Sequence, residues 1–516
     1  MLKVVLSNPT TKPASRTQAA MGRSVSGSKI RAGLFTCAAL ICLTAVSTAA
    51  DLPGATITQL FAFPCPPQQF GSCSKGYAPN VLLQASDGNF YGTAQLTTFG
   101  TSNPQGGTLF KITPSGQLTV LFTFGHNTSG NYVNGDQPAT GLVEANDGLL
   151  YGATFTGGVN NSGVLFRISK TGAGFKVLHD FCSTANCADG NLPASLIMGH
   201  DGKLYGTTLL GGSSVGNCQP PFGGCGTIFR FAAPSTFTTL HELNGSTDGA
   251  GPIGIIQGSD EKFYGTSAGN VFRFTAGGQF TVLHTFLPFG ILPTHASSGV
   301  FQASNGNLYG SITNYSLSQL QFYEISPSGS GFREFPSFGN RTSTSFVPSL
   351  IQASDGILWD VGPLLGGRGK LIAISPDSGS LIHSFSFSGT SGAFPDAAVV
   401  QGADGKLYGT AVLGGSVANN KVPNGTVWTL DAGLLAPAPA VAAFSPSSGT
   451  VGSRVTIRGD SFIGTTAVTF NGVSAAFTVL NAHFITTTVP AGVTSGTITL
   501  TNAGGSTVST QQFTVP

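Results

Sequence analysis

Residues 87–92 read DGNFYG, and this hexapeptide decides the fold because its pattern returns along the chain. The pattern is Asp-Gly, any residue, an apolar residue, an aromatic residue and usually Gly. Asp-Gly between apolar stretches is a strong hairpin signal, since both turn residues of a tight hairpin need positive φ. Seven copies therefore predict seven hairpins, and their aromatic residues are Tyr91, Tyr151, Tyr205, Tyr264, Tyr309, Trp359 and Tyr408.

Each hairpin belongs to a larger unit, because the copies lie 45 to 60 residues apart. A third strand such as GTLFKI (107–112) and a fourth such as LTVLFTF (118–124) follow the hairpin. Four antiparallel strands at this period indicate a β-propeller blade. The fourth strand follows only six hairpins, and the missing copy, ITQLFAF (57–63), stands at the front.

This offset predicts how the ring closes. We expect residues 56–63 to pair with residues 425–430, because a linear array would leave unpaired strands at both ends. The predicted fold class is therefore all-β, with a seven-bladed β-propeller over residues 51–431 and a one-strand closure.

The repeat resembles the GloVer tandem repeat of exported bacterial proteins. The matching features are the DGxLYGT hairpin, a Gly-Gly followed by Gly-Thr-Val/Leu-Phe, the LxxLxxF strand and an Asp-Gly-x-x-Pro loop, which recur in order over residues 56–431. The resemblance implies a propeller-like architecture and export, and it implies no particular chemistry.

A second module follows a Pro/Ala linker at residues 432–440. Residues 441–516 contain about six short alternating strands, which is typical of an Ig-like sandwich. The segments FSPSSG (444–449), TIRG (456–459) and VTFNG (468–472) resemble the IPT/TIG domain. That resemblance implies an Ig-like β-sandwich that spaces the propeller or docks against it. Arg454 and Arg458 do not make a basic surface.

The first 50 residues carry the signs of export. An apolar run at 32–46 follows basic residues and precedes small ones, which predicts a secretory signal peptide cleaved after Ala49 or Ala50. Met21 begins a signal of more ordinary length. The formal charge of the whole chain is +2, but residues 1–50 hold six basic and no acidic residues. The mature chain therefore has 17 basic and 21 acidic residues, which argues against a nucleic-acid partner.

We expect a secreted, periplasmic or cell-surface protein with no membrane span in the mature chain. Six of the eight cysteines lie beyond residue 50 and fall into close pairs. An even number in an exported chain predicts local disulfides rather than a metal site. The predicted bridges are Cys65–Cys73, Cys182–Cys187 and Cys218–Cys225.

Most polar residues that could take part in catalysis or binding recur with the repeat. A catalytic site occurs once, so its residues should depart from the repeat pattern. The Asp of each Asp-Gly is therefore interpreted as a turn residue. His179, His241 and His284 share a strand position that Phe fills in other units, so we interpret them as aromatic-sized spacers. A second set of carboxylates lies in the loops between units: Asp136, Asp189, Asp248 and Asp396.

Two interpretations of this second set stay open. Each Asp could cap its own loop, or the set could ring a cation or sugar site on a face of variable loops. The sequence indicates no cofactor, and calcium is the ion that such carboxylates would select.

The sequence favours an exported, non-catalytic binding or surface-interaction protein whose propeller loop face binds a glycan or a protein. The alternative is an extracellular propeller enzyme on carbohydrate, either a glycoside hydrolase or a lyase. That enzyme would need two carboxylates within about 10 Å of each other near the ring axis. The carboxylates that break the repeat are Glu144, Glu324, Glu334 and Asp360.

Overall fold

The structure is a computed structural model that describes residues 52, 54–65, 71–99, 106–125, 132–138, 140–212, 218, 223–286, 294–296, 298–314, 319–336, 350–362, 368–417 and 422–516. The predicted signal peptide and Met21 lie outside these residues. Apart from one 3-10 turn at Ala185–Cys187, the regular elements are strands, which confirms the all-β class. No helix in the described ranges is long and apolar enough to cross a membrane.

Seven antiparallel sheets, numbered here from one to seven, follow each other in chain order. Sheet one contains β2 (Gly71–Pro79), β3 (Leu83–Gln84), β4 (Phe90–Phe99), β5 (Gly107–Ile112) and β6 (Leu118–Phe124). Sheet two contains β7 (Asp136–Pro138), β8 (Val143–Glu144), β9 (Leu149–Thr156), β10 (Val164–Ser169) and β11 (Lys176–Asp180). Sheet three contains β12 (Asn191–Met198), β13 (Leu204–Leu210), β14 (Thr227–Ala232) and β15 (Thr236–Glu242).

The remaining four sheets repeat this arrangement. Sheet four contains β16 (Gly254–Gln257), β17 (Phe263–Ser267), β18 (Asn270–Phe274) and β19 (Phe280–Thr285). Sheet five contains β20 (Thr294–Ala296), β21 (Phe301–Gln302), β22 (Leu308–Asn314), β23 (Gln319–Ile325) and β24 (Arg333–Glu334). Sheet six contains β25 (Ile351–Gln352), β26 (Leu358–Gly362), β27 (Lys370–Ile374) and β28 (Leu381–Ser386). Sheet seven contains β1 (Thr58–Cys65), β29 (Val400–Gln401), β30 (Leu407–Ala411) and β31 (Val422–Leu430).

β1, the first strand in the described ranges, thus pairs with β31, the last strand of the repeat region. Thr58 lies opposite Thr429 and Phe61 lies opposite Val427 in the antiparallel pair of β1 and β31. Pairing continues to Cys65 and Val422, so β1 is shifted by two residues from the predicted 56–63 and β31 is longer than the predicted 425–430. The fourth-strand copy of unit five, FREFPSF, predicts a strand over 332–338, but its described part forms the two-residue strand β24, and residues 337 and 338 lie outside the described residues.

Each sheet packs against the next through a separate apolar core. The cluster of sheets one and two contains Tyr91 and Phe166, and that of sheets six and seven contains Trp359 and Trp428. A further cluster brings Phe63 and Tyr408 of sheet seven together with Phe110 of sheet one. Sheet seven therefore packs against both sheet six and sheet one.

Within each sheet the chain alternates direction, so its connections lie at two opposite edges. We call the edge with the Asp-Gly turns the turn edge. The loop edge carries the loops inside each sheet that follow the Tyr-Gly strand, together with the crossings from one sheet to the next.

Glutamine side chains form hydrogen bonds between neighbouring sheets at the turn edge. In each case the side-chain oxygen accepts a hydrogen bond from a backbone N–H at the turn of the preceding sheet. These bonds join sheets three to seven in order, and the bond between Ala403 and Gln84 joins sheet seven to sheet one. The bonds are His200 to Gln257 (2.7 Å), Ser259 to Gln302 (2.8 Å), Ser304 to Gln352 (2.7 Å), Ser354 to Gln401 (2.9 Å) and Ala403 to Gln84 (2.9 Å).

The three predicted disulfides are present. Cys65–Cys73 ties β1 to β2, Cys182–Cys187 closes the crossing from sheet two to sheet three, and Cys218–Cys225 closes a loop of sheet three. Each bridge constrains only a few residues, so each stabilises mainly its own loop.

The C-terminal module is a sandwich of two four-stranded sheets around its own core, with Val455, Ile457 and Phe470 at its centre. It has eight strands rather than the six expected. One sheet contains β32 (Ala440–Ser445), β33 (Arg454–Asp460), β36 (Phe477–Asn481) and β37 (Phe484–Thr488). The other contains β34 (Ala467–Phe470), β35 (Val473–Ser474), β38 (Gly496–Asn502) and β39 (Gly505–Phe513).

Candidate functional site

The C-terminal module contacts the turn edge of the repeat region. The Arg458 guanidinium donates to both carboxylate oxygens of Glu261, at 3.1 and 2.7 Å. The Asn481 amide donates to the Asn146 side chain at 2.9 Å and to the Glu144 carbonyl at 3.1 Å. Glu261 stands where the other turns have Gly, and its φ of 66° is the left-handed conformation that Gly prefers. The ion pair offsets the cost of Glu at this position.

The loop edge, in contrast, carries the four aspartates of the second set. Each lies in or beside a crossing: between sheets one and two, two and three, three and four, and six and seven. Sequence analysis left open whether they cap their own loops or converge on a ligand.

Asp136 links two sheets through its side chain. Its Oδ1 accepts the Gly106 N–H at 2.6 Å, and its Oδ2 accepts the Thr156 hydroxyl at 3.3 Å. The residue is 3% exposed. Burial raises the pKa of Asp136 more than these hydrogen bonds lower it. This carboxylate therefore holds a loop of sheet one against the crossing into sheet two.

Asp189 has the most hydrogen-bond donors of the set. Its two oxygens accept the N–H and hydroxyl of both Ser183 and Thr184, at 2.7 to 3.3 Å. His179 Nε2 lies 2.9 Å from Oδ2. Burial alone would raise the pKa of Asp189, but the His179, Ser183 and Thr184 hydrogen bonds lower it well below its usual range. The carboxylate organises the same loop that the Cys182–Cys187 bridge closes.

Asp248 repeats this arrangement one sheet further on. Its oxygens lie 2.9 Å from His241 Nε2 and accept the Asn244 N–H at 2.7 Å. Asp396 is half-buried beside the crossing into sheet seven. The geometry of Asp136, Asp189 and Asp248 is that of loop caps. In the described ranges no three His, Cys, Asp or Glu side chains come together as a metal-binding group.

The histidines have the spacer role that the sequence predicted. His179 stacks on Phe237 of the next sheet at 3.8 Å between ring centroids, and His284 stacks on Phe332 at 3.7 Å. Phe122 stacks in the same way on Phe175 at 4.0 Å, so His and Phe fill the same stacking position in different sheets. The sequence did not predict the additional hydrogen bonds between His179 and Asp189 and between His241 and Asp248. These pairs lie ten and seven residues apart.

The repeated Asp of the turn motif is a structural device. In five sheets its Oδ2 accepts the hydroxyl of the Tyr four residues later, at 2.7 to 2.9 Å. Burial and the bond to Asp147 raise the pKa of Tyr151 to about 12. In sheet five Asn305 replaces Asp and donates to Tyr309 at 2.8 Å. These side chains hold the hairpin turn against the strand that follows it.

Two of the carboxylates that depart from the repeat, Glu144 and Glu324, each bond to a different set of partners. Glu144 takes the place of the glutamine that joins neighbouring sheets elsewhere. Its oxygens accept hydrogen bonds from the Ser86 N–H at 2.7 Å and from Lys170 Nζ at 2.6 Å. Glu324 accepts Tyr309 at 2.8 Å and also the Arg333 guanidinium.

The other two candidates, Glu334 and Asp360, lie in sheets five and six. Glu334 lies opposite Tyr323 in the ladder, so its side chain is on the other face of sheet five from Glu324. Asp360 is fully buried within sheet six, where its Oδ1 accepts the Val361 N–H at 2.8 Å. No two of the four therefore lie on one face of the same sheet.

A recurrent backbone feature of the loop edge was not predicted. In the part of the chain that the structure describes, five crossings contain X-Pro, and the residue before each of these prolines has positive φ. Each proline ring packs against the Gly that starts the third strand of the preceding sheet, including Pro79 of sheet one against Gly425 of sheet seven. The residues before proline are Ala78 (φ 52°), Gln137 (55°), Leu192 (58°), Gly251 (57°) and Phe394 (56°).

Comparisons with known proteins agree with both resemblances. Residues 67–218 match the family model of the Gloeobacter/Verrucomicrobia repeat, and residues 439–515 match that of the IPT/TIG domain. No curated protein matches the chain.

Several solved structures are similar to the chain. Virginiamycin B lyase from Staphylococcus aureus has 14% identity and a TM-score of 0.45, with 72% of this chain and 98% of that chain covered. PorZ, a surface component of the type-IX secretion system of Porphyromonas gingivalis, has 13% identity and a TM-score of 0.46, with 86% of this chain and 60% of that chain covered.

Proposed function

We propose that this chain is an exported, non-catalytic binding or surface-interaction protein. In this proposal the seven sheets are the blades of one propeller ring, β1 is the closing strand, and the loop edge is the ligand-binding surface.

Three contacts support the closed ring. They are the core cluster shared by sheets seven and one, the bond from Ala403 to Gln84, and the packing of Pro79 on Gly425. Each contact is the counterpart of one that joins earlier neighbouring sheets.

One observation carries the choice of the loop edge. Among the described residues of the seven sheets and their connections, the exposed large apolar side chains are Val133, Val159, Phe394 and Leu413. All four lie in loop-edge loops, whereas the C-terminal module contacts the turn edge. Exposed apolar side chains on a rigid scaffold are typical of interaction surfaces.

Asp136, Asp189 and Asp248 serve this surface as its framework, and Asp396 lies beside the crossing into sheet seven. A loop whose buried carboxylate accepts several hydrogen bonds loses little conformational entropy when a ligand binds, and preorganisation of this kind favours affinity. The signal-like segment in residues 1–50 and the three disulfides support export.

A binding role agrees with the state of the repeat-breaking carboxylates. Glu144 and Glu324 are each paired with a cation, and Glu324 and Glu334 lie on opposite faces of their sheet. A glycosidase pair would instead flank one open site.

The test uses residues 51–516, purified from an oxidising compartment. The protein is applied to a polysaccharide and oligosaccharide array and, in parallel, used to capture proteins from the producing cell's envelope, each with and without calcium. We expect saturable binding to one class, and its loss when Val159 and Leu413 are both changed to Asp. Saturable binding that survives this double change, or no binding in any arm, would overturn the proposal.

A further inference from the structure

The C-terminal module contacts the turns of three sheets that are not neighbours. In each contact the residue of the repeat region lies next to the repeated Asp of its turn. The contacts are Asn481 with Asn146 of sheet two, Arg458 with Glu261 of sheet four, and Gly464 with Ala403 of sheet seven, where a Cβ on Gly464 would lie 3.4 Å from the Ala403 Cβ.

The linker before the module follows the same edge. The Leu435 carbonyl accepts the Ser354 hydroxyl of sheet six at 2.7 Å and the Gln401 amide of sheet seven at 3.0 Å. The Leu434 carbonyl packs on the turn of sheet seven, where a Cβ on Gly405 would lie 2.2 Å from it. The linker is therefore fixed along two turns and leads the chain directly onto the turn edge.

These turns lie at the side of each sheet that faces the axis of the proposed ring. The strands before them carry the glutamines that bond directly to the turn of the preceding sheet, as in Gln84 with Ala403 and Gln401 with Ser354, both at 2.9 Å. The blades of a propeller surround a central channel and converge toward it, so direct bonds of this kind are expected beside the channel. The turns thus surround the end of the channel at the turn edge.

The order of the sheets places the module across this channel. On a ring of seven, the steps from sheet two to four, from four to seven and from seven back to two are two, three and two positions. Each step is less than half of the ring, so a triangle drawn through the three contacts contains the ring axis. A module held at one side of the ring would contact only sheets that lie within half a turn.

Sheet one also lies beneath the module. A cavity of about 310 Å³ is lined by Leu82 of sheet one and Val400 of sheet seven on one side, and by Ile463 and His483 of the module on the other. The module therefore covers these two sheets, and its contacts with sheets two and four extend the cover to the far side of the channel.

We propose that the C-terminal module is a fixed lid over the turn-edge end of the central channel, so that a ligand enters the ring from the loop edge alone. A body held at three points around the channel cannot swing open about one of them. The lid rests on the proposed function, because it assumes the closed ring, and it assigns the side from which the ligand of that function enters.

The test uses cysteine pairs across two of the contacts in the mature chain. Its six native cysteines form the three disulfides, so introduced thiols are the free ones. A chain with Asn146→Cys, Asn481→Cys, Glu261→Cys and Arg458→Cys is treated with a short bismaleimide, and the links are mapped by peptide mass spectrometry. We expect most molecules to carry both links at once. Links that form only one at a time would overturn the lid.

The matched control moves one cysteine to the equivalent turn position of sheet five. With Ser304→Cys in place of Asn146→Cys, we expect only the link between positions 261 and 458. A link from position 481 to position 304 that forms as readily as the link to position 146 would show a freely moving module, which would also overturn the lid.

A second measurement needs only one small substitution at a time. Ala403 is half-buried beneath Gly464, whereas Ser304 is exposed at the same turn position of sheet five. Ala403→Cys should react with a maleimide at least tenfold more slowly than Ser304→Cys, and adding Arg458→Ala and Asn481→Ala should raise its rate. Equal rates in the first comparison would overturn the lid.

Ligand binding separates the lid from the proposed function. The doubly linked chain should bind its array ligand within twofold of the wild type, because the ligand enters from the loop edge. Loss of binding on cross-linking would show that the ligand needs the turn edge, and would overturn the inference. If both links form and neither the linked nor the wild-type chain binds any ligand, the lid stands and the proposed function is wrong.

Discussion

Ring closure can be tested at Phe63, a fully buried residue of β1. Its ring packs edge-on against Phe110 of sheet one, at 5.4 Å and 63°. Phe124 packs against Phe166 at 5.4 Å and 62°, and Phe181 packs against Phe229 at 5.3 Å and 61°. If β1 is a full member of sheet seven, Phe63 contributes to the junction of sheets seven and one as much as Phe124 does to that of sheets one and two.

The expected cost follows from this equivalence. A fully buried Phe changed to Ala typically loses about 3–5 kcal/mol, and the loss depends on how far the site can collapse. Phe63→Ala and Phe124→Ala should therefore destabilise the protein by similar amounts within that range. Guanidinium unfolding followed by near-ultraviolet circular dichroism, at constant protein concentration, measures both.

The control is the partly exposed Phe61, two residues away on the same strand. Phe61→Ala should cost clearly less, because less apolar area is lost. The closure would be refuted if Phe63→Ala stayed within about 1 kcal/mol of the wild type while Phe124→Ala lost the full amount. In that case β1 would be a loosely attached segment.

Three further changes test individual contacts. Lys170→Met leaves the buried Glu144 without its cation and should lower the free energy of unfolding by about 3 kcal/mol in denaturant unfolding. Adding Glu144→Gln should recover most of this loss, because Gln accepts the equivalent backbone hydrogen bond in other sheets. Asp189→Asn should cost about 2 kcal/mol near pH 7. Because the folded-state pKa of Asp189 is lowered, its contribution is present above about pH 4 and lost as the pH falls further, so the Tm gap to the variant should shrink in acid. Arg458→Ala should cost no more than about 1 kcal/mol, because Glu261 is half-exposed, but should increase proteolysis within residues 432–440; unchanged cleavage would contradict the docked module.

The fold was largely predictable because its signals are local and repeated. The Asp-Gly turn, the Tyr that follows it and the third strand lie within one unit, so each copy reinforced the others. The front position of ITQLFAF, now β1, also predicted its pairing with the last strand. The described part of the outer strand of sheet five is shorter than the pattern predicts. Pro336 lies two residues after Glu334, and a proline cannot donate a ladder hydrogen bond.

The contacts of the candidate site residues were not predictable from the sequence. Loop variability indicated the loop edge, yet the pairing of His179 with Asp189 depends on how a disulfide-closed loop folds back. The bond from Arg458 to Glu261 joins residues 197 positions apart, which no local pattern encodes. The only sequence signal was the Glu that replaces a turn glycine.

One sheet departs from the repeat at a pair of residues that face each other across neighbouring strands. In six sheets the Gly after the conserved Tyr lies opposite an aromatic residue of the next strand, and a Cβ at that Gly would approach the facing ring to within 2.3–2.7 Å. In sheet six Asp360 replaces Gly and Ile372 replaces the aromatic, so the two changes compensate in volume. The pairs are Gly92–Phe110, Gly152–Phe166, Gly206–Phe229, Gly265–Phe272, Gly310–Tyr323 and Gly409–Trp428.

Sheet six departs from the repeat in other respects too. Trp359 replaces the Tyr that bonds to the turn Asp, and the crossing that leaves this sheet carries the exposed Phe394. The other six sheets keep the Gly–aromatic pair. Three departures therefore occur together here: the replaced Gly–aromatic pair and the replaced Tyr of sheet six, and the exposed Phe394 at the crossing that follows it.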